Sequence, residues 1–265
     1  MRCIRPIFPL LSLVCPLFAA EPVPLPHAHA HNDYEHARPL AEALERGFGS
    51  VEADVWLVGG ALLVAHDLKD AKPGRTLAAL YLDPLLDRVR KNGGVVHRGG
   101  APLVLLIDVK SEAGATYALL AKELAGRAEM LTTFRAGRVE WGAVTVIVSG
   151  NRAQAQMAAQ AERHAFVDGR GGDLEANPPA ALVPWVSENW QKLTPWRWQG
   201  AMPAEVRATL GAWVERAHAQ GRQVRFWNTP DRPEVWGALL DAGVDWIGTD
   251  DLAGLQRFFA ERAAR

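Results

Sequence analysis

Short, nearly uninterrupted apolar runs alternate along this chain with longer stretches whose apolar residues recur at helical spacing, and that alternation limits the fold more than any other feature. The runs fall at 51–57, 103–109, 144–148, 182–186, 224–227 and 244–247, with weaker ones at 25–30 and 164–167. A strand that is apolar on both faces is covered on both faces, as in a parallel sheet flanked by helices. Helices are expected at 39–46, 77–91, 113–128, 152–162, 204–219, 233–242 and 252–263. Gly47, Gly93, Gly221 and Gly243 follow several of them closely, where a helix terminus favours glycine. Eight strands and about as many helices in roughly 240 residues predict an α/β fold, a single-domain (β/α)8 TIM barrel over residues 21–265. An open doubly wound sheet is the alternative. The barrel is favoured because polar residues collect at the strand ends: Asp108 and Lys110, Ser149 and Asn151, Asp168 and Arg170, Ser187 and Asn189, Asn228, and Thr249 and Asp250. In a barrel those ends converge on one face, where active sites sit.

Residues 1–20 read differently. Arg2 and Arg5 precede an apolar stretch from Ile7 to Phe18, followed by Ala19 and Ala20. That order is the charge, apolar core and small-residue end of a secretory signal, and the stretch is too short to span a bilayer. Export to the periplasm or medium is expected. Both cysteines, Cys3 and Cys15, lie in this segment, so the remaining chain offers no disulfide and no thiol chemistry. The formal net charge is −1, with both signs finely mixed. Bulk electrostatics therefore give no reason to expect nucleic acid.

In Val51-Glu52-Ala53-Asp54-Val55, strand alternation points Glu52 and Asp54 to the same side, the barrel interior. Two carboxylates about 4 Å apart repel by roughly 4 kcal/mol at an effective dielectric of 20. A cation, a proton or basic side chains must offset this. Asp108, ending the next long run, brings a third carboxylate to that face. Oxygen donors without cysteine suit a hard divalent cation, Ca²⁺ or Mg²⁺; a structural ion-pair cluster with Lys110 and Arg225 is the competing expectation.

Two histidine sites flank these acids. His27, His29 and His31 share one face of the first run, and His66 precedes Asp67 after a second apolar run, 62–65. Histidines titrate near neutrality and serve as general base and general acid. His29 and His31 together also admit a Zn²⁺-dependent sugar or amide hydrolase.

The combination Ala30-His31-Asn32-Asp33-Tyr34, Val51-Glu52-Ala53-Asp54-Val55-Trp56 and Ala65-His66-Asp67 resembles the superfamily joining glycerophosphodiester phosphodiesterases and phosphoinositide-specific phospholipases C. The resemblance implies a metal-dependent phosphoric diester hydrolase. It makes His31 and His66 the catalytic acid–base residues, with His29 a rival for the first role, and Asn32, Glu52 and Asp54 metal ligands. Ile107-Asp108-Val109-Lys110 is similar to the Glu-x-Lys of the glycerophosphodiesterase branch, with Asp in place of Glu. It implies a fourth ligand at Asp108 and a phosphate contact from Lys110. Phe226-Trp227-Asn228 and Asp245-Trp246-Ile247-Gly248-Thr249-Asp250 are similar to that branch's last strand ends, so the resemblance runs from Pro26 to about Asp251. Substrate contacts are expected from His29, Lys110, Arg170, Trp190, Arg225 and Trp227. The implied substrate is a small phosphodiester or phospholipid headgroup, with transient contact to a membrane surface and no obligate protein partner. A non-catalytic barrel that captures phosphorylated ligands is the alternative from another class.

Overall fold

The structure, a computed structural model, describes residues 22–100 and 102–264. The segment read as a signal, with Cys3 and Cys15, lies outside the described residues. Twelve strands are found among them: β1 (Leu25–Ala30), β2 (Phe48–Val58), β3 (Ala61–Val64), β4 (Leu103–Val109), β5 (Thr133–Arg135), β6 (Arg138–Glu140), β7 (Val144–Gly150), β8 (Glu162–Arg163), β9 (Ala165–Gly169), β10 (Trp185–Asn189), β11 (Gln223–Trp227) and β12 (Trp246–Thr249). Eight of these, β1, β2, β4, β7, β9, β10, β11 and β12, are parallel neighbours in that order. β1 pairs with both β2 and β12, which closes the sheet into a barrel with no free edge.

The connections follow the sequence. Helices at Asp83–Lys91, Ala113–Ala125, Ala204–Ala219, Pro233–Asp241 and Leu252–Ala263 flank the barrel. Local signals start several of them: Pro84 in the first turn of one, Glu112 accepting from the amides of Gly114 and Ala115, and Asp251 accepting from Gly254. Outward side chains such as Val51, Ala53, Val55, Leu105, Ile107 and Val148 pack under these helices as the main core. Inward ones form a second, smaller cluster of Val104, Leu106, Ile147, Phe166, Trp185 and Trp246, with the last two rings stacked at 4.8 Å.

Three features depart from the sequence expectation. β3 pairs antiparallel with β2, so the apolar run before His66 is the return arm of a hairpin. β5, β6 and β8 form a separate small antiparallel sheet; it consumes the end of the helix expected at 152–162, which is helical only over Gln154–Ala158. β10 begins at Trp185 rather than at 182, since Pro184 has no amide to give the ladder.

Candidate active site

The carboxyl ends of β1, β2 and β4 bring the acids together. Asp54 on β2 is in register with Asp108 on β4, and Glu52 is two residues back on the same inward face. One oxygen from each of Glu52, Asp54 and Asp108 lies within 4.8 Å of the others. Their environments differ. Oε2 of Glu52 accepts from Arg225 at 2.7 Å and is 2.9 Å from His29 Nε2. Burial alone would neutralise this carboxyl; the Arg225 guanidinium and the His29 bond outweigh it and hold its pKa well below the ordinary range. Asp54 is pushed up to about 6 by burial and by the neighbouring Glu52 charge, against the pull of Lys110. Asp108 is raised too, by burial, with Lys110 opposing. The Lys110 ammonium bridges the last two, 3.1 Å from Asp54 and 3.0 Å from Asp108.

Oδ1 of Asp54 and Oδ1 of Asp108 are buried with no hydrogen-bond partner. A buried carboxylate oxygen without a donor is costly, and two of them in one acidic cluster fit a hard cation held by oxygen ligands. Gly150, at the end of β7, keeps room for one of them: a Cβ there would lie 2.0 Å from Asp108 Oδ1.

The two histidines hang from different carboxylates. His31 Nδ1 is 2.8 Å from Asp250 Oδ1. Burial works against its charged form, but the Asp250 bond and the Glu52 charge prevail and raise its pKa. His66 Nδ1 is 3.2 Å from Asp54 Oδ2 and its side chain is 60% exposed. The cluster that the structure brings together is thus acidic, with His66 attached to it through Asp54 and His31 bonded to Asp250 outside it. Tyr34, the last residue of the first motif and given no role from sequence, is buried beside Asp54. Its hydroxyl donates to Asp54 Oδ2 at 2.7 Å and lies 3.0 Å from Asn32 Oδ1 and 3.2 Å from His66 Nδ1. Asn32 turns the chain toward the site in a left-handed conformation, which asparagine tolerates better than most residues.

The model of the AIM6-like phosphodiesterase domain matches residues 18–168, and that of the glycerophosphoryl diester phosphodiesterase family matches residues 223–253. The chain belongs to the AIM6-like phosphodiesterase domain family. Through it the chain falls in the glycerophosphodiester phosphodiesterase and phospholipase C-like superfamily. It is 30% identical over 286 residues to altered inheritance of mitochondria protein 6 of Eremothecium gossypii, covering 93% of this chain and 72% of that protein. It is likewise 30% identical over 272 residues to the homologue from Arthroderma benhamiae, covering 89% and 84%. The fold also matches a glycerophosphodiester phosphodiesterase structure from Parabacteroides distasonis at a TM-score of 0.52, with 19% identity over 89% of this chain and 98% of that one.

Several residues expected to contact substrate lie within the barrel wall. His29 is fully buried, with Nδ1 on Ser50 and Nε2 on Glu52; burial and Arg225 lower its pKa to about 4. It supports Glu52, with both ring nitrogens engaged inside the barrel. Arg225 is buried and donates from Nη2 to Glu52, with its Nε left unpartnered. Trp190 is buried, packed on Trp198 and Phe226, because the loop that carries it folds back on the barrel wall. Arg170 is partly exposed and oriented by Asp168 Oδ2 at 2.6 Å and Ser149 Oγ at 2.9 Å. Trp227 is exposed at the end of β11. The orienting role of Asp250 was hidden in sequence, since 219 residues separate it from His31 and only closure of the barrel brings them together. An apolar cavity of about 800 Å³ opens at the opposite mouth, lined by Val104, Ile147, Phe166, Trp185 and Trp246. It lies away from these groups.

Proposed function

We propose that this barrel hydrolyses phosphoric diesters, of the glycerophosphodiester or lipid-headgroup kind, with a Ca²⁺ or Mg²⁺ ion held by Asn32, Glu52, Asp54 and Asp108. The observation that carries the reading is the pair of unpartnered oxygens on Asp54 and Asp108, buried in an acidic cluster at the carboxyl mouth. A bound cation would neutralise phosphate charge and ease deprotonation of the attacking hydroxyl. The chain's own residues supply the rest. Lys110, released from the carboxylates it bridges, offers its charge to a phosphate oxygen, and Arg170 offers a fork oriented by Asp168. His31, whose proton is retained by Asp250 and Glu52, suits the general acid that protonates the leaving alkoxide. His66, tethered by one nitrogen to Asp54, suits the base that accepts the proton of the nucleophile. Trp227 supplies an exposed wall for the organic part of the substrate.

The test is direct. Purified protein stripped with a chelator is expected to lose hydrolysis of an aryl phosphodiester and to regain it on adding Mg²⁺ or Ca²⁺. His31→Ala and His66→Ala are each expected to cost about 100-fold or more in kcat. Full activity without metal, or undiminished activity in both variants, overturns the reading. Tight binding of a glycerophosphodiester with no turnover selects the capture protein instead, which Lys110 favours by balancing Asp54 and Asp108 without an ion.

We also propose that residues 1–20 direct export. The support is the order of Arg2 and Arg5, the apolar stretch and Ala19-Ala20. Expressed with its full leader in a bacterial host, the protein is expected outside the cytoplasm with a new amino terminus near residue 21. An intact terminus in the cytosolic fraction rejects this.

A further inference from the structure

We propose that Asn189 and Asn228, with the face of Trp227 beside them, form the subsite that reads the alcohol of the substrate, and that they select a phosphodiester whose alcohol carries adjacent hydroxyl groups. The inference rests on the phosphodiesterase reading above and deepens it by naming the residues that choose among alcohols.

Strand order puts the subsite where an ester arm would lie. Trp185 belongs to the inward cluster, so alternation along β10 turns Ser187 and Asn189 inward as well. Asn189 is in register with Trp227 of β11, which shares its strand face with Arg225. In the ring of eight parallel strands, β10 lies four places from β2 and β11 four places from β4, counted in either direction. The two asparagines and Trp227 therefore stand across the carboxyl mouth from Asp54 and Asp108. Arg170, at the end of β9, lies between β10 and the acids along the ring. A phosphate held by Lys110 and Arg170 leaves that side of the mouth to one of its ester arms.

Hydrogen bonding fixes what the pair presents. The side-chain oxygen of Asn189 accepts from the Gln191 amide at 2.9 Å. A backbone amide only donates, so Oδ1 must face it, which settles the orientation an asparagine otherwise leaves open. Asn228 Nδ2 donates to the same oxygen at 3.2 Å, and this turns Asn228 Oδ1 away. Among the described residues, Asn189 Nδ2 and Asn228 Oδ1 meet no hydrogen-bond partner. The pair thus holds out one donor and one acceptor. A hydroxyl both gives and takes a hydrogen bond, so adjacent hydroxyls match the pair. An alkyl chain or a quaternary ammonium group satisfies neither atom. Trp227 is exposed and offers an apolar face to the carbon skeleton that carries the hydroxyls. Asn228 is held at φ +62°, a left-handed conformation that glycine takes more readily. A side chain kept there at that cost points to a task for its amide.

The experiment uses the full protein with Mg²⁺ or Ca²⁺ and three para-nitrophenyl phosphodiesters that share a leaving group: the glyceryl, propyl and choline esters. The parent is expected to favour the glyceryl over the propyl ester about tenfold in kcat/KM, from two hydrogen bonds gained. Asn189→Ser keeps an oxygen for the Gln191 amide and loses the amide donor. Asn228→Gly keeps the left-handed turn and loses the acceptor. Each is expected to lower the glyceryl-to-propyl ratio about threefold, and the double variant to bring it near one, with the loss on the glyceryl ester carried by KM. Denaturant midpoints check that all three variants fold. A ratio unaltered in the variants, as a purely structural role for the two residues requires, overturns the proposal. So does a parent that fails to favour the glyceryl ester over both others. If the parent hydrolyses none of the three with either cation, the phosphodiesterase reading fails. Calorimetric titration with glycerol phosphate and propyl phosphate then decides the subsite: a preference for glycerol phosphate that the variants lose supports it, and equal binding overturns it.

Discussion

Glu52 and Asp54 are two residues apart on one strand, yet their surroundings drive them in opposite directions. Glu52 shares its Oε2 between Arg225 and His29 and stays ionised. Because Arg225 is itself buried, Glu52→Gln leaves a guanidinium in the interior without its counter-charge. Breaking one partner of a buried pair costs about 3–5 kcal/mol, and urea unfolding is expected to show a loss of that size. A loss below about 1 kcal/mol would mean that water reaches Arg225. Asp54 behaves differently, with its carboxyl pushed up to about 6. Without a cation the folded chain keeps that proton where the unfolded chain, with the ordinary value of 3.8, has released it. This contribution to stability is therefore full below pH 3.8 and is lost as pH rises through about 6. Cation binding runs the other way, since a protonated Asp54 is no ligand. Affinity for Mg²⁺ or Ca²⁺ is expected to fall about tenfold for each pH unit below 6 and to level off above it. Titration calorimetry at pH 5 and pH 7 checks the sign, and equal affinities would remove Asp54 from the ligand set.

At the scale of elements, the glycine that ends β7 shows how a strand terminus shapes a ligand. Gly150 has φ +65°, and a Cβ there would meet Asp108 Oδ1 at 2.0 Å and the Val109 carbonyl at 2.4 Å. Gly150→Ala is therefore expected to displace the Asp108 side chain and weaken cation binding at least about tenfold, read by the same calorimetry; backbone strain of about 1–2 kcal/mol should accompany it. Unaltered cation affinity would show that Asp108 is not held where the cation sits. Elements of this kind were unevenly legible in sequence. β1 and β4 and the helices at Ala204–Ala219 and Leu252–Ala263 run as their periodicity predicts, because each is long enough to show a period and is bounded by clear stop residues. β12 begins at Trp246 rather than at 244, since Asp245 is drawn off to cap the amide of Val224 and to meet His218. The small sheet of β5, β6 and β8 has strands of two or three residues, too short for alternation to register. Glu52 and Asp54 could be placed by alternation alone. The Tyr34 contact and the Asp250–His31 bond depend on loop geometry and barrel closure, which no local pattern carries.

Over the whole molecule, the barrel interior changes character from one mouth to the other. Near the amino ends of the strands it is apolar, with Val104, Ile147, Phe166, Trp185 and Trp246 around a cavity. One step further lie His29, Ser50, Glu52, Asp168 and Arg225, all buried and polar, and beyond them Asp54, Asp108 and His66. Strand alternation puts Ile147 and Ser149 of β7 on the same inward face, in register with Leu106 and Asp108 of β4, so one strand samples both regimes. Ile147→Ala truncates a side chain that already borders a cavity on one side and so has fewer packed contacts to lose. Its cost is expected at the low end of the range for such truncations, about 2 kcal/mol. Turnover per folded molecule should stay within about twofold, because truncating Ile147 displaces none of the ligand atoms. Ser149→Ala removes far less volume but takes away the hydroxyl that meets both Asp168 at 2.8 Å and Arg170 at 2.9 Å. It is expected to leave the unfolding midpoint nearly unchanged and to reduce kcat/KM about tenfold by loosening Arg170. Measuring denaturant midpoint and kcat/KM for both variants separates the two mouths along a single strand. The reverse outcome, activity lost with Ile147→Ala and kept with Ser149→Ala, would mean that the reacting groups draw their order from the apolar end of the barrel and not from the polar network beneath them.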